Sequence, residues 1–278
     1  MAAIAGLSDL INRSTGGNSG TPQNVFYFKV PRIAGGAPAA LTVGRLHSLW
    51  RYDGSPGAGS APGAVAIPTN ATAGALPFIS AGGARESWLT QVWAAINVSG
   101  TLILYDRLLH QGNLSGTVTT AQTVGGTLTR NTGGVGNLAF IEIYTNIGTT
   151  SRTVTMNYTN QAGTSSRTST AVQIGATGFL ESTRMLTLPL QTGDTGIREI
   201  ASITLSASTG TAGAIGVTIG DPIAYIGVGL GGSCGWRDFV TGMPGIPRIE
   251  SDACLSLMFI PTTSTVPDLL GGYSIVEA

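Results

Sequence analysis

Charge is scarce in this sequence: only 10% of its 278 residues are Asp, Glu, Lys or Arg, and fourteen basic side chains cancel fourteen acidic ones. Soluble domains usually carry about a quarter. A basic footprint able to neutralise many phosphates is missing, which argues against broad electrostatic binding of nucleic acid. Cysteine and histidine are rarer still, with two of each. Cys234 and Cys254 have nineteen residues between them, with no C-x-x-C and no nearby histidine, so no zinc site or disulfide framework is indicated and two buried thiols are expected. Long hydrophobic runs are absent too. The most apolar late stretch, Ile223 to Leu230, is short and broken by Gly227 and Gly229, so no membrane span is expected. The opening MAAIAGLSDLINRS has neither a positive leader nor an apolar core long enough for a signal peptide. The Asn-x-Ser/Thr triplets at Asn12, Asn70, Asn97, Asn113 and Asn157 matter only on a secretory route and are given no weight. No D-x-[DN]-x-[DN]-G loop appears, and no cofactor is expected.

What is present is a chain able to bury a core. Hydrophobic residues make up 42%, mean hydropathy is +0.26, and 41 glycines with 13 prolines stay below the share typical of low-complexity chains. Its length fits one large β-type domain or two modest ones. A nearly neutral surface of Thr, Ser, Asn and Gly does little to hold copies apart, which suits a protein packed against neighbours. Thirteen of the fourteen basic residues are Arg, with Lys29 the single lysine. Arginine is favoured in buried or interfacial ion pairs, although a lineage bias in codon use explains the count equally well.

Residues 3 to 13 place Ile4, Leu7, Leu10 and Ile11 at helical spacing before a Gly/Ser/Asn run from Ser14 to Gly20. This predicts a short amphipathic arm, either capping its own domain or docking on another subunit. Val25 to Val30 predicts a first strand ending at Pro31. From Asp53 to Gly83 so much Gly, Pro and Ala accumulates that a long loop is expected, of the kind that serves binding or wraps a neighbour. ARESWLTQVWAAIN then sets Trp88, Leu89, Val92, Trp93 and Ile96 on one stripe, predicting a helix.

Beyond it, short strands and Gly/Ser/Thr turns continue to the end. Buried strands are predicted at TLILYDRLL and FIEIYTNI, and TVTMNYT alternates strictly, with Val154, Met156 and Tyr158 inward. MLTLPL, SITLSAS, IGVTI and LSLMFI complete the set. No repeat of blade or solenoid length emerges. The predicted fold is mainly β: an antiparallel, jelly-roll-like β-sandwich with one or two short helices and long Gly/Pro-rich loops. Residues 1–24 form the N-terminal arm, and residues 25–278 form the sandwich, including the loop 53–83 and the helix at about 84–97.

Chemical motifs are thin. GGSCG puts Ser233 in a G-x-S-x-G frame, but a nucleophile elbow needs its histidine later in the chain, and His47 and His110 both precede it. A chymotrypsin-type order using His47 or His110, Asp106 or Asp194, and Ser233 is the one formal alternative. A second string, GNSG at Ser19, sits in the arm without a scaffold. GVGLGG satisfies G-x-G-x-x-G but is followed by SCGWRDF rather than a helix, so its glycines serve turns or close backbone approach. Asp106, Glu142, Glu181, Asp194, Glu199 and Asp221 are scattered singly, and nothing marks two of them as acid–base partners.

The strings LYDRLLHQGNLSGT (Leu104 to Thr117), NLAFIEIYTNIGTT (Asn137 to Thr150) and YTNQAGTSSRTS (Tyr158 to Ser169) resemble virion structural proteins of tailed bacteriophages. The resemblance implies a Gly/Thr/Ala-rich β-sandwich sitting on or between major capsid subunits as a decoration or cement protein, and it names no catalytic residue. Implied partners are the major capsid protein and further copies of the chain, as a trimer or other small oligomer. The implied location is the capsid surface, after synthesis in the host cytoplasm.

Taken with the low charge, the arm and the loop, the expected function is cementing, with contacts through Leu7, Leu10 and Ile11 on the arm and Tyr52, Leu76, Pro77 and Phe78 around the loop. A tail, neck or head-fibre component is the structural alternative. A receptor- or glycan-binding module with Trp50, Tyr52 and Trp236 as its platform is the rival class, and a hydrolase using Ser233 the third.

Overall fold

The computed structural model describes residues 4–16, 22–33, 35–36, 40–82, 85–241 and 245–278. Helix α1 (Leu7–Ser14) precedes β1 (Gln23–Ile33), β2 (His47–Ser48), β3 (Tyr52–Ser55), β4 (Ser87–Ile96), β5 (Gly100–Leu114) and β6 (Gln122–Thr123). Then come β7 (Leu138–Thr145), β8 (Arg152–Asn160), β9 (Arg167–Thr168), β10 (Val172–Ile174), β11 (Met185–Thr187) and β12 (Ile197–Leu205). The chain closes with β13 (Ala214–Val228), β14 (Cys234–Asp238), β15 (Arg248–Ile249), β16 (Leu255–Pro261) and β17 (Leu269–Glu277).

These strands build three antiparallel sheets. The first runs β14-β4-β17-β1-β3 with β15 beside β4, the second β10-β8-β12-β6 with β9 beside β8, and the third β11-β7-β13-β5-β16-β2. The third is the common layer, because β5 and β13 are fifteen residues each. At about 3.3 Å per residue they are long enough to back two cores in succession. Leu102, Leu104, Ala224, Ile226 and Leu257 pack against Tyr27, Val92, Ile96 and Tyr273 of the first sheet. Leu109, Ile141, Ile143, Val217 and Ile219 pack against Val154, Met156, Tyr158, Ile200 and Ile203 of the second. Ile103 and Tyr105, which alternate with Leu102 and Leu104 along β5, instead join Phe140, Met185 and Met258 in a smaller cluster. The sandwich is therefore two cores on one shared sheet, and β8 shows the alternation its sequence predicted.

Two local expectations need correction. The segment predicted as a helix at about 84–97 is strand β4 over its length 87–96, and Ala84 itself lies outside the described residues. The cause is a register shift against β17: Gln91 pairs with Ser274 and Leu89 with Ile275, leaving Thr90 as an extra residue. That bulge turns Leu89 and Val92, three positions apart, to the same side and so imitates helical spacing. The first strand also does not stop at Pro31 but runs to Ile33. Pro31 falls inside the irregularity of the β1/β3 ladder between Val30 and Ile33, where no ladder hydrogen bond is asked of it. The described residues of the loop, 53–82, hold little regular structure beyond the end of β3 and a bridge between Ala66 and His110.

Candidate interaction surfaces

Among the described residues eight charged side chains are buried, and the most enclosed of them form ion pairs. Arg107 on β5 and Glu142 on β7 flank β13, and both are essentially inaccessible. The Arg107 guanidinium donates to Glu142, to the Tyr144 hydroxyl at 2.9 Å, to the Tyr105 hydroxyl at 3.0 Å and to His110 Nδ1 at 3.0 Å. It also lies 4.8 Å from the Trp50 ring. Glu142 accepts further bonds from Thr218 (2.7 Å) and Tyr144 (3.0 Å). Burial pushes the Glu142 carboxyl up, but the Arg107 charge and these hydrogen bonds overcome it and hold the group below its ordinary value. Next to it, Arg130 grips Asp106 bidentately at 2.8 and 3.0 Å and also donates to Pro68 O, stapling the 53–83 loop to β5. Lys29, the single lysine, is buried and caps the carbonyls of Tyr52, Pro56 and Gly57. Arginine enrichment thus has a structural use in buried pairs.

No catalytic constellation forms from the residues singled out in the sequence. His47 is held by Thr183 Oγ1 and Thr42 N, and burial followed by the nearby Arg184 charge lowers its pKa to about 3. His110 is likewise lowered to about 3, by burial and then by Arg107. The Ser233 hydroxyl donates to Leu230 O at 2.6 Å within an exposed turn and has neither histidine beside it. Asp194 is taken by Tyr158, Asn160 and Arg167. GNSG at Ser19 lies outside the described residues. Gly227 and Gly229 to Gly232 form the end of β13 and a turn, and the carbonyl of Gly227 lies where a Cβ on Gly235 would go, a close approach that glycine allows. Among the described residues no group of three or more His, Cys, Asp or Glu side chains is placed to hold a metal. No helix among them is long and apolar enough to cross a membrane.

The predicted contact residues divide. Leu7 and Ile11 are exposed at 58% and 55%, whereas Leu10 is buried against the body and Arg13 donates to Glu277 O on β17. In the loop, Pro77 is exposed, but Tyr52, Leu76 and Phe78 belong to the first core, packed with Tyr27, Leu49 and Leu89. Those three and Leu10 are corrected from contact residues to core residues: they satisfy the chain's own hydrophobic burial, and Ile79 beside them is exposed instead. Trp50 and Tyr52 are buried as well, which removes two of the three aromatics from the glycan platform and leaves Trp236. Of the two cysteines expected to be buried, Cys254 is, and its thiol is pushed up to about 12, while Cys234 is exposed.

The surviving elements meet at one end of the first sheet. Helix α1 sits against the last residues of β17 and, with Leu10 and Ile11, forms one wall of a groove whose other lining includes Asn24, Gln91 and Ile275. Gln23 at the start of β1 pairs with Ile275 and holds the backbone of Ile79 in both directions at 2.7 Å. Leu7 and Ile11 on the arm, with Pro77 and Ile79 on the loop, are thus apolar groups offered at a common end.

A second exposed apolar area, missed in the sequence, lies on the outer face of the same sheet. Ladder registers align Trp236, Trp93, Gly272 and Phe26 across β14, β4, β17 and β1, and align Cys234, Ala95, Leu270 and Phe28 in the neighbouring row. Phe26, Phe28, Trp236 and Leu270 are exposed at 56, 41, 60 and 40%. Phe26 and Trp93 have ring centroids 6.5 Å apart. A Cβ on Gly272 would come within 2.8 Å of Trp93 Nε1, so the missing side chain is what lets that indole lie across the strand.

No protein-family model matches the chain, and no curated protein matches it. Among solved structures, one of the infectious bursal disease virus Gt strain aligns over 93% of this chain and 81% of its own, at 9% identity and a TM-score of 0.18. A structure of T=1 particles derived from infectious bursal virus aligns over 92% and 78%, at 10% identity and a TM-score of 0.18. These neighbours come from virus particles, but TM-scores this low do not amount to a shared superposition. The functional reading therefore rests on this chain's own residues.

Proposed function

We propose that this chain is a structural protein of a virus particle, and within that class a capsid decoration protein that cements the shell. The observation that carries the reading is the arm. Its helix is fixed to its own body by Leu10 and Arg13, yet it turns Leu7 and Ile11 outward at the end of the first sheet, where Pro77 and Ile79 of the loop are exposed as well. An anchored helix with an uncovered apolar side, on a surface whose charges are mostly paired internally, suits binding by shape and apolar burial rather than by electrostatic attraction. The resemblance of the central segments to tailed-phage virion proteins supports the same assignment and suggests the major capsid protein as the partner.

The mechanism is linkage. A protein that binds the assembled shell and not its separated subunits adds its binding free energy to the shell alone, raising the temperature and internal pressure at which capsomers part. Contacts that span capsomer boundaries maximise that difference. Melting of shells with and without the chain tests this: bound protein raises the shell transition, and the Leu7→Ser/Ile11→Ser variant, folded but with its exposed apolar groups removed, fails to bind. Shells that melt at the same temperature with the protein bound would refute cementing. A chain found only in tail or neck fractions would replace the shell by the tail, neck or fibre placement.

A further inference from the structure

The outer face of the first sheet offers a second contact area next to the arm, whose Ile11 and Ser14 line one groove with Asn24, Ser274, Gln91 and Asp238 of the bordering row. We infer that two copies of this chain pack through it, face to face, about a two-fold axis running along the strands between β4 and β17. Three observations lead to a second copy rather than another occupant. First, the two central rows, from Trp236 to Phe26 and from Cys234 to Phe28, contain no Asp, Glu, Lys or Arg, so the face meets itself without opposing like charges.

Second, the area is of the right order. Side chains of this size present roughly 150–250 Å² when free, so the exposures of Phe26, Phe28, Trp236 and Leu270 amount to about 400 Å² of apolar surface per copy. Two copies would bury about 800 Å² from these residues alone, half of a standard interface of roughly 1,600 Å², with the bordering polar row available for the rest. Third, three of the four side chains in that bordering row, all but the exposed Gln91, are already engaged within the chain. Ser274 Oγ donates to Asn24 Oδ1 at 2.7 Å, and the Asp238 carboxylate accepts from Val240 N and from the Thr241 hydroxyl. A sugar would need such groups free beside its aromatic platform, whereas an apolar protein face needs them only as a rim.

In this arrangement Trp236 of one copy lies over Phe26 of the other, and Cys234 lies beneath Phe28 of the other. The two Cys234 thiols are then separated by about three strand spacings of roughly 4.8 Å, as well as by the gap between sheets, too far for a disulfide. Cys234 is a built-in reporter, because Cys254 is buried.

The test uses the isolated full chain in solution and so is independent of any placement in a particle. Sedimentation equilibrium is expected to give a dimer, with maleimide labelling of Cys234 slowed about tenfold or more as the dimer forms, because thiol reactivity follows exposure. Trp236→Arg is expected to sediment as a monomer and label at the dilute-limit rate, with an unchanged far-ultraviolet spectrum. Val135→Arg, at an exposed site far from the face, is expected to remain dimeric. A wild-type chain still monomeric at about 100 µM, above the micromolar to picomolar range of standard-size interfaces, overturns the inference. So does an oligomer that leaves Cys234 fully reactive, or a monomer whose tryptophan emission is quenched saturably by oligosaccharides. Any of these results would leave the cementing role standing, since that is decided on shells.

Discussion

Replacing Arg107 by methionine would remove the cation of the buried pair while keeping most of its length, and would strand Glu142 in a site with almost no solvent contact. Breaking a buried pair from one side typically costs about 3–5 kcal/mol, because the remaining charge has lost its partner but not its burial. At roughly 2–4 °C per kcal/mol for a chain of this size class, Arg107→Met should lower the melting temperature by roughly 6–20 °C. Glu142→Leu should cost a similar amount, now leaving the guanidinium unpaired. Arg107→Met/Glu142→Leu removes both charges and should cost clearly less than the sum, with a coupling of about 2 kcal/mol or more.

The pH dependence supplies a second check. In the wild type Glu142 is held below its unfolded value, so its contribution is present above the unfolded pKa and is lost as pH falls through the lower folded one. Without Arg107, burial alone acts and raises the folded pKa above the unfolded one. The contribution then reverses: it is present below the unfolded pKa and lost as pH rises. The penalty of Arg107→Met, measured by urea unfolding of variant against wild type, should therefore shrink as pH is lowered from 8 towards 5. Single substitutions costing under about 1 kcal/mol, strict additivity in the double variant, or a pH-independent penalty would refute a charge pair coupled in this way.

Other consequences follow from particular positions. Asp221, opposite Asp106 on β5 and near Glu250, has its pKa raised to about 6, chiefly by burial and then by the Asp106 charge. Its contribution is present below the unfolded value and lost as pH rises through 6, so Asp221→Asn should gain about 1 kcal/mol on the wild type between pH 4 and 7.5 after solvent screening, read by urea unfolding. Gly271→Ala should destabilise by about 1–3 kcal/mol, since the new Cβ would meet the Tyr27 hydroxyl and, at 2.6 Å, the immovable backbone oxygen of Trp93. Leu10→Ala should cost about 2–4 kcal/mol or release the arm to proteolysis, whereas Ile11→Ser, one residue away but exposed, should leave melting within about 0.5 kcal/mol.

Strands whose one face is wet were legible, as β8 shows, because alternation survives in the sequence. The segment at 87–96 was not, since the bulge at Thr90 gives a strand the spacing of a helix. Within the 53–83 loop no period distinguishes Leu76 and Phe78, which enter the core, from Ile79, which does not. Their placement follows from hydrogen bonds to residues far away in the chain, such as Leu76 N to Leu255 O. VFYFKV is apolar at both parities, so nothing in it says that Tyr27 and Lys29 go inward and Phe26 and Phe28 outward. Of the thirteen arginines, Arg107 and Arg130 form buried pairs, while Arg32, Arg85 and Arg248 pair at the surface, so abundance alone did not tell which would go inside. Which carboxylate each would meet depended on topology, because Arg107 and Glu142 are thirty-five residues apart on strands separated by β13.

Cross-linking of intact particles tests the proposed role most directly. Carboxyl-directed chemistry is required, because the single lysine is buried beneath three backbone carbonyls. If the chain cements a shell, mass spectrometry should find links to the major capsid protein, at high copy number, from acidic residues near the arm and loop, such as Asp252, whose carboxylate meets Ser80. Links confined to portal or tail components, or absence of the chain from particles, would contradict it.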